Sequence, residues 1–300
     1  MRRVAVILSR RELLQAGVSA AALAVGGPVS AAGMRTRPIP RSGEELPVIG
    51  MGTWRTFDTS ERAALVQVVR TLFEAGGRVI DSSPMYGRSE TTIGEVLEDL
   101  GEKKRAFLAS KVWTTGREEG VAQMHESIRR MGRVDLMQIH NLLDWRTHLA
   151  TLRSWKDTGA IRYWGITHYS LSAFAEMESI VRSEKPDFVQ LPYSVAVREA
   201  EQRLLPACAS QGVAVLVMRP FEGGSLFADA RRRPLPGWAA EIDCTTWAQI
   251  FLKFILGHPA VTCPIPATSN PAHMADDVRA GFGRLPDEAM RRRIVKELLG

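Results

Sequence analysis

The sequence predicts an α/β protein of the (β/α)8 TIM barrel class, formed as a single domain by residues 34–300. Short apolar runs with β character alternate with amphipathic helical runs eight times, and no internal repeat accompanies this alternation. About 265 residues remain once an N-terminal segment is set aside, close to the roughly 250 typical of such a barrel. The 45% share of hydrophobic residues suffices for a large core. Strand followed by helix, repeated eight times, therefore predicts a parallel barrel.

The eight predicted strands are short runs rich in Val, Ile, Leu and Phe that stop at polar or turn residues. They cover residues 47–52, 78–81, 106–110, 134–139, 162–167, 187–191, 213–217 and 261–265.

The predicted helices are runs in which apolar residues recur with the helical period. Ser60 and Ser170 stand where N-caps are expected, and Gly76 and Gly132 where helices are expected to stop. These runs cover residues 60–75, 121–131, 171–183, 200–210 and 245–256, and residues 286–299 read as an extra terminal helix.

Charge and cysteine content exclude some function classes. The net charge is +6, but four arginines and one glutamate in residues 1–33 supply half of it, which leaves +3 on the predicted domain. So small an excess gives no reason to expect a nucleic-acid partner. Cys208, Cys244 and Cys263 lack the spacing of metal ligands, so we expect neither a metal site nor a disulfide framework.

Four polar residues lie at or just after the ends of neighbouring predicted strands. Asp81, Lys111 and His140 end three successive apolar runs, and Tyr86 lies five residues beyond Asp81. Barrel enzymes place their active sites at the C-terminal ends of the strands. An acid, a phenol, an amine and an imidazole brought together there can reduce a carbonyl group.

These residues belong to stretches in which the chain resembles the aldo-keto reductase family, from about residue 46 to residue 285. Carried over position by position, the resemblance assigns the family's catalytic tetrad to Asp81, Tyr86, Lys111 and His140. The matching stretches are residues 50–54, 77–83, 86–87, 89–90, 93–95, 111, 134–136, 140–141, 265–266 and 268–271.

The chemistry of the tetrad explains why the four types are needed together. A free phenol has a pKa of about 10, too high for efficient proton donation near neutrality. We therefore expect Lys111 to lower the pKa of Tyr86, the general acid, while Asp81 keeps Lys111 charged and oriented. His140 is expected to hydrogen-bond the carbonyl oxygen of the substrate.

The resemblance also implies a nicotinamide cofactor. Gln190 matches a family glutamine that binds the nicotinamide carboxamide, and Thr167 with His168 replaces the usual Ser-Asn pair. Met218 stands where many members place an aromatic residue against the nicotinamide ring, and a thioether can pack on a ring as well. Arg219 is expected to reach the pyrophosphate.

The adenosine end bears on the choice between the two nicotinamide cofactors. Thr268, Ser269 and Asn270 precede a predicted helix and offer hydroxyl groups and backbone amides to a phosphate. Ala267 and His273 stand where members selective for the phosphorylated cofactor often carry Lys and Arg. We expect NADP(H) in preference to NAD(H).

The substrate is expected to be a small aldehyde or ketone with an apolar portion. Trp54 and Trp113 match positions that line the family's substrate pocket, and Asn141 follows the predicted catalytic histidine. Aromatic walls favour apolar ligands. We expect the protein to act as a monomer.

Two functions of other classes compete with this one. The first is a sensor or regulatory subunit that binds a nicotinamide dinucleotide with little turnover. The second is a non-redox barrel enzyme, an isomerase or aldolase, in which Lys111 forms a Schiff base. The complete tetrad argues against the first, and Tyr86 together with Asp81 argues against the second.

The N-terminus carries a second signal. Residues 9–15 resemble the twin-arginine export motif around Arg10 and Arg11, and a mildly apolar stretch follows at residues 16–25. Small residues permit cleavage after Ala31 or Ala32. Residues 1–33 are thus predicted to be a signal peptide that engages the twin-arginine translocase and directs the protein to the periplasm. If Met34 is the true start, the protein is cytoplasmic.

Overall fold

The protein adopts the predicted barrel in a computed structural model that describes residues 33–230 and 232–299. The predicted twin-arginine motif and cleavage site lie outside the described residues. The strands are β1 (Thr36–Pro38), β2 (Glu45–Pro47), β3 (Met51–Gly52), β4 (Val79–Asp81), β5 (Phe107–Val112), β6 (Leu136–His140), β7 (Tyr163–Thr167), β8 (Phe188–Pro192), β9 (Ala214–Met218) and β10 (Cys263–Pro264). The helices are α1 (Ala63–Glu74), α2 (Ser89–Leu100), α3 (Arg117–Met131), α4 (Trp145–Asp157), α5 (Phe174–Glu184), α6 (Leu204–Gln211), α7 (Leu226–Ala230), α8 (Trp247–Leu256), α9 (Pro271–Arg279) and α10 (Glu288–Leu299).

The eight strands β3 to β10 pair in chain order, each parallel to its neighbours. The first and last strands meet through hydrogen bonds from Gly50 N to Pro264 O, 3.1 Å, and from Gly52 N to Pro266 O, 3.0 Å. The prediction of a (β/α)8 barrel is therefore confirmed.

The alternation of side chains along each strand decides which residues point into the barrel. Leu136 belongs to the apolar cluster that fills the interior, whereas Met137 and Ile139 pack outward against the helices. Gln138 and His140 share the face of Leu136 and therefore point inward. The same rule places Lys111 inside after Phe107 and Ala109, and Asp81 inside after Val79.

An antiparallel hairpin of β1 and β2 closes the N-terminal end of the barrel, and the sequence analysis did not predict it. Ile39 and Leu46 from this hairpin join the interior cluster. The guanidinium of Arg37 donates to the backbone oxygens of Leu256, His258 and Val261 at the end of α8. Capping these carbonyls with a cation satisfies groups that a helix end leaves without partners.

Several predicted helix ends differ from the observed ones. Ser60 is not an N-cap, because α1 begins at Ala63 and Arg62 occupies the cap position. Ser170 caps a single 3-10 turn ahead of α5 by accepting from Ser172 N. Gly132 ends α3 as predicted, with a φ of 83° that favours glycine.

The terminal helix α10 was predicted, and a buried arginine anchors it. Arg291 donates to the hydroxyl of Tyr193 and to the carboxylate of Glu201, and its guanidinium carbon lies 4.7 Å from the centre of the Phe254 ring. This helix is therefore held against α8 and the segment that follows β8.

Within residues 33–230 and 232–299, no helix combines the length and the apolar character that a bilayer crossing requires. The same residues contain no group of three or more His, Cys, Asp or Glu side chains arranged to hold a metal ion.

Candidate active site

A buried ion pair lies at the C-terminal mouth of the barrel. Lys111 Nζ is 2.6 Å from Asp81 Oδ2 and donates to the backbone oxygen of Ser82 at 2.7 Å. The lysine is fully buried, and the aspartate nearly so. Burial alone lowers the pKa of Lys111, but the charge of Asp81 and the neighbouring phenol of Tyr86 outweigh it and raise that pKa. The amine is therefore held as an ammonium ion.

The second oxygen of Asp81 has its own partner, which the sequence analysis missed. Gln138 Nε2, from β6, donates to Asp81 Oδ1 at 3.0 Å. The carboxylate is thus bound on both sides, by a cation from β5 and an amide from β6. Such additional hydrogen bonds are what make a buried ion pair affordable.

Tyr86 lies beside this pair on the loop after β4. Lys111 Nζ is 5.2 Å from the centre of the Tyr86 ring. Burial raises the pKa of Tyr86, whereas the Lys111 charge lowers it without overcoming burial. Lys111 thus acts on this pKa in the expected direction, but burial outweighs it and the net shift is upward. The phenol keeps its proton at neutral pH, as a proton donor must.

A tight turn fixes the position of Tyr86. Gly87 has a φ of 59°, and a Cβ atom there would lie 2.2 Å from Asp58 Oδ1. The same carboxylate oxygen accepts from Arg88 N at 2.9 Å, and Ser89 Oγ donates to Trp54 O at 2.8 Å. The loop after β3 therefore holds the loop that presents the phenol.

His140 ends β6 and faces Tyr86. The two rings meet edge to face, with centroids 5.9 Å apart and an interplanar angle of 88°. Burial, together with the charge of Lys111 and the neighbouring His168, lowers the pKa of His140 to about 2. The imidazole is therefore neutral. Its Nδ1 is hydrogen-bonded to Ser83 Oγ at 3.1 Å, which leaves Nε2 for a substrate.

The backbone after His140 is strained. Asn141 and Leu142 both have a φ of 54°, and Asp144 has a φ of 46°. Residues other than glycine rarely adopt this region, which costs about 1–2 kcal/mol per residue. Such conformations concentrate at functional sites.

The tetrad residues assigned from the sequence thus come together at one end of the barrel. The arrangement supplies a protonated phenol, an ammonium ion held by a carboxylate, and a neutral imidazole with a free nitrogen. Together these groups can bind a carbonyl oxygen and deliver a proton to it.

Two of the proposed cofactor residues leave a hydrogen-bonding group free at the mouth. Thr167 Oγ1 donates to Gln190 Oε1 at 3.1 Å, while the buried Gln190 Nε2 has no partner among the described residues. An unpaired buried amide is costly and fits a ligand with an acceptor, such as a carboxamide oxygen. His168 Nδ1 accepts from Ser170 N at 2.9 Å, so the proton of the neutral ring is on Nε2.

The loop after β9 holds the next two candidates. Met218 shares the inward face of Ala214 and Leu216 and is partly exposed. Arg219 is exposed, has a φ of 53° and lies 3.4 Å from Glu222 Oε2. The second oxygen of Glu222 is buried without a partner in the part of the chain that the structure describes. Arg219 is therefore paired to its own loop, which the sequence analysis did not anticipate.

The turn before α9 contains the three candidates for the adenosine end. Thr268 is buried, and its hydroxyl accepts from Asn270 N at 3.0 Å. Asn270 caps α9 by accepting from Ala272 N at 2.9 Å. Ser269 is exposed and has no hydrogen-bond partner among residues 33–230 and 232–299.

The proposed substrate residues lie on the loops around the mouth. Trp54 is 51% exposed and Trp113 41%, although large apolar side chains are ordinarily covered. The Trp113 ring centroid is 6.5 Å from that of His140. Asn141 is partly buried next to His140. Met85 and Tyr169, on the loops after β4 and β7, are equally exposed at this end and were not predicted.

Gln138, Ser83 and Asp58 are the residues at this site that the sequence analysis missed. Gln138 had a usable signal, since the alternation of β6 places it on the same face as His140. Ser83 lies in a stretch that matches the family, but its bond to the end of β6 has no local signal, and the contact of Asp58 depends on how two loops meet.

Comparison with known proteins gives a consistent result. The sequence model of the Aldo/keto reductase family matches residues 48–293. Methylglyoxal reductase YeaE of Escherichia coli is 29% identical over 254 residues, which cover 80% of this chain and 88% of that protein. An aldo/keto reductase of Klebsiella pneumoniae in complex with NADP and acetate matches with a TM-score of 0.72 at 24% identity, over 84% of this chain and 93% of that one. The holo form of the aldo-keto reductase AKR11C1 of Bacillus halodurans also matches with a TM-score of 0.72, at 21% identity, over 88% of this chain and 96% of that one.

The neutral state of His140 has a measurable effect on stability. The unfolded-state pKa of histidine is about 6.5, so below that pH the unfolded chain binds a proton that the folded protein does not. The contribution is fully present above about pH 6.5 and is lost as the pH falls toward 2. We expect the free energy of unfolding, measured in urea at pH 7, 6 and 5, to fall as the pH is lowered. It should fall more steeply for the wild type than for His140→Asn, by about 1 kcal/mol per pH unit. Asn retains a partner for Ser83, and parallel pH curves would contradict the assignment.

Proposed function

Since the chain belongs to the aldo/keto reductase family and is an NAD(P)H-dependent oxidoreductase, we propose that it reduces an aldehyde or ketone to an alcohol with Tyr86 as general acid. The observation that carries this role is the protonated phenol between the Lys111 ammonium ion and the neutral His140 ring.

In the proposed mechanism, the substrate carbonyl oxygen lies between Tyr86 and His140. The nicotinamide supplies the hydride when bound. His140 is proposed to donate from Nε2 to the oxygen, and in that tautomer Nδ1 accepts from Ser83 Oγ. As negative charge develops on the oxygen, Tyr86 transfers its phenolic proton, and Lys111 stabilises the phenolate that remains.

Gln190, Thr167, His168 and Met218 are proposed to hold the nicotinamide. The unpaired Nε2 of Gln190 supports this placement, since a carboxamide oxygen would satisfy it. Arg219 is proposed to leave Glu222 for the pyrophosphate.

The two competing functions fit the site less well. A Schiff base requires a neutral lysine, whereas the pKa of Lys111 is raised and its ammonium donates to Asp81 and to Ser82 O. A sensor without turnover does not require a protonated phenol beside a neutral imidazole.

We propose an aldehyde or ketone with an apolar portion as substrate. Trp54 and Trp113 offer exposed aromatic surface on two sides of the mouth, and Asn141 offers a polar contact beside His140. The relative from Escherichia coli is named for methylglyoxal, a small dicarbonyl, which makes small aldehydes suitable first substrates.

Replacing the proposed general acid tests the function directly. Tyr86→Phe removes the proton donor and keeps the ring, so kcat with an aldehyde should fall by about 10²- to 10⁴-fold while cofactor affinity stays near normal. Absorbance at the nicotinamide band measures turnover, and fluorescence titration measures cofactor binding. Tyr169→Phe, on the loop after β7, is the matched control. Retention of most activity in Tyr86→Phe would overturn the role.

The proposed preference for NADP(H) over NAD(H) rests on the hydroxyl groups of Thr268 and Ser269, because the flanking Ala267 and His273 supply no fixed cation. We expect kcat/KM with NADPH to exceed that with NADH. Ser269→Ala should lower this ratio about fivefold, the effect of one net hydrogen bond, with little change for NADH. A wild-type ratio below one would reverse the proposed preference.

We propose that the protein is a monomer exported to the periplasm through the twin-arginine translocase, with residues 1–33 as the signal peptide. The buried side chain of Met34 supports this boundary, because it packs against Gly76 and Gly281 and belongs to the folded unit. Cleavage after Ala31 or Ala32 leaves that contact intact.

Changing Arg10 and Arg11 to Lys should keep the full-length chain in the cytoplasm, because the translocase reads the arginine pair and not only its charge. Cell fractionation measures the location, and N-terminal sequencing of the native protein should begin at Ala32 or Gly33. A native chain that begins at Met34 or Arg35 would favour a cytoplasmic protein. Arg2 and Arg3 changed to Lys serve as the control pair.

A further inference from the structure

The loop that carries Trp113 is held by a side chain of the following helix. Gln123, on α3, binds the backbone of Trp113 in both directions. Trp113 N donates to Gln123 Oε1 at 2.5 Å, and Gln123 Nε2 donates to Trp113 O at 3.2 Å. One side-chain amide therefore satisfies both backbone groups of one residue.

Two further bonds join the same loop to the segment that follows His140. His148 Nε2 donates to Thr114 O at 2.8 Å, and Gly116 N donates to Asp144 Oδ2 at 2.9 Å. His148 is buried against Gly120, where a Cβ atom would lie 2.5 Å from the imidazole Cε1. The loop is thus bonded at its beginning by Gln123 and farther along by α4 and the turn before it.

The ring of Trp113 itself is poorly packed. It is 41% exposed, and its one aromatic neighbour in the described part of the chain is His140, at 6.5 Å between centroids. Its position therefore depends on the backbone that carries it more than on contacts of the indole. Contacts that fix the Trp113 backbone therefore also fix the indole beside the proposed carbonyl site.

We propose that Gln123 is a positioning residue that sets substrate selectivity by fixing Trp113 beside His140. The inference rests on the proposed function, in which Trp113 forms a wall of the carbonyl pocket. A substrate large enough to touch the indole gains from a fixed wall, because less freedom is lost on binding. A substrate too small to reach it gains nothing.

The test compares Gln123→Met, which has a similar size but makes neither bond, with Gln123→Glu, which retains only the acceptor. Gln67→Met, at an exposed position of α1, is the matched control. Substrates are 4-nitrobenzaldehyde and propanal, each assayed at saturating NADPH. Trp113→Ala and the double variant Trp113→Ala with Gln123→Met complete a double-mutant cycle.

We expect Gln123→Met to raise KM for 4-nitrobenzaldehyde about tenfold, corresponding to one or two net hydrogen bonds. The kcat values and the KM for propanal should change less than twofold. The KM of Gln123→Glu for 4-nitrobenzaldehyde should lie between the values for Gln123→Met and the wild type. In the Trp113→Ala background, Gln123→Met should have no further effect on either substrate.

Three outcomes for Gln123→Met would overturn the inference. They are an equal loss of kcat/KM for both substrates, a loss of kcat with KM unchanged, or an effect on KM that is fully additive with that of Trp113→Ala. Thermal unfolding of each variant separates a general loss of stability from a change in selectivity. If the wild type binds NADPH but reduces neither aldehyde, the proposed function fails, and this inference fails with it. A wild type that turns over both substrates while Gln123→Met leaves their ratio unchanged refutes the inference alone.

Discussion

The buried ion pair of Lys111 and Asp81 is the interaction on which the site depends. Removing one partner of such a pair typically costs about 3–5 kcal/mol, because the other charge is left buried without compensation. Two hydrogen bonds reduce the cost of burying this pair. Gln138 Nε2 donates to the second oxygen of the carboxylate, and Ser82 O accepts from the ammonium ion. Burial is the main cause of the lowered pKa of His140 and of the raised pKa of Tyr86; the charge of Lys111 adds to the first shift and limits the second. The fixed cation thus favours the neutral form of His140 and stabilises the phenolate that Tyr86 would leave after giving up its proton.

The barrel holds this cation at the end of its apolar interior. Asp81 and Lys111 come from adjacent strands, and both lie on inward faces that begin with apolar residues, Val79 and Phe107. Apolar side chains therefore fill the interior below the pair, and both charged groups are buried. The low dielectric strengthens the attraction between the two charges and makes their hydrogen bonds indispensable.

The sequence predicted that Asp81, Lys111 and His140 stand at strand ends, because each of them stops a short apolar run. Asp81, Lys111 and His140 each extend an alternation that starts in the core, so their convergence follows from strand geometry. Lys111 lowers the pKa of Tyr86 as expected, but burial raises this pKa by more, and burial depends on neighbours that no local pattern reveals. Gln123 was missed for a similar reason. Nothing in a helical sequence indicates that one of its amides bonds the preceding loop.

The ends of helices and strands likewise include features that the sequence did not predict. The β1–β2 hairpin was missed because each of its strands has three residues, too few for a period to be recognised. Ser60 looked like a cap from its residue type, yet α1 begins three residues later, at Ala63. Features that repeat along the chain could be predicted, whereas those that depend on one tertiary contact between distant segments could not.

The closure of the barrel has a consequence for the order in which the protein is made. The bonds from Gly50 and Gly52 to Pro264 and Pro266 join residues more than two hundred positions apart. During synthesis from the N-terminus, the first barrel strand therefore has an open edge until nearly the whole chain has left the ribosome. The cluster at the mouth includes residues from β4, β5 and β6, all of which are synthesised well before the strand that covers that edge. Until β10 has been made, the first barrel strand can pair only with β4 and has one open edge, so the completed fold gives that edge no protection from association during this interval.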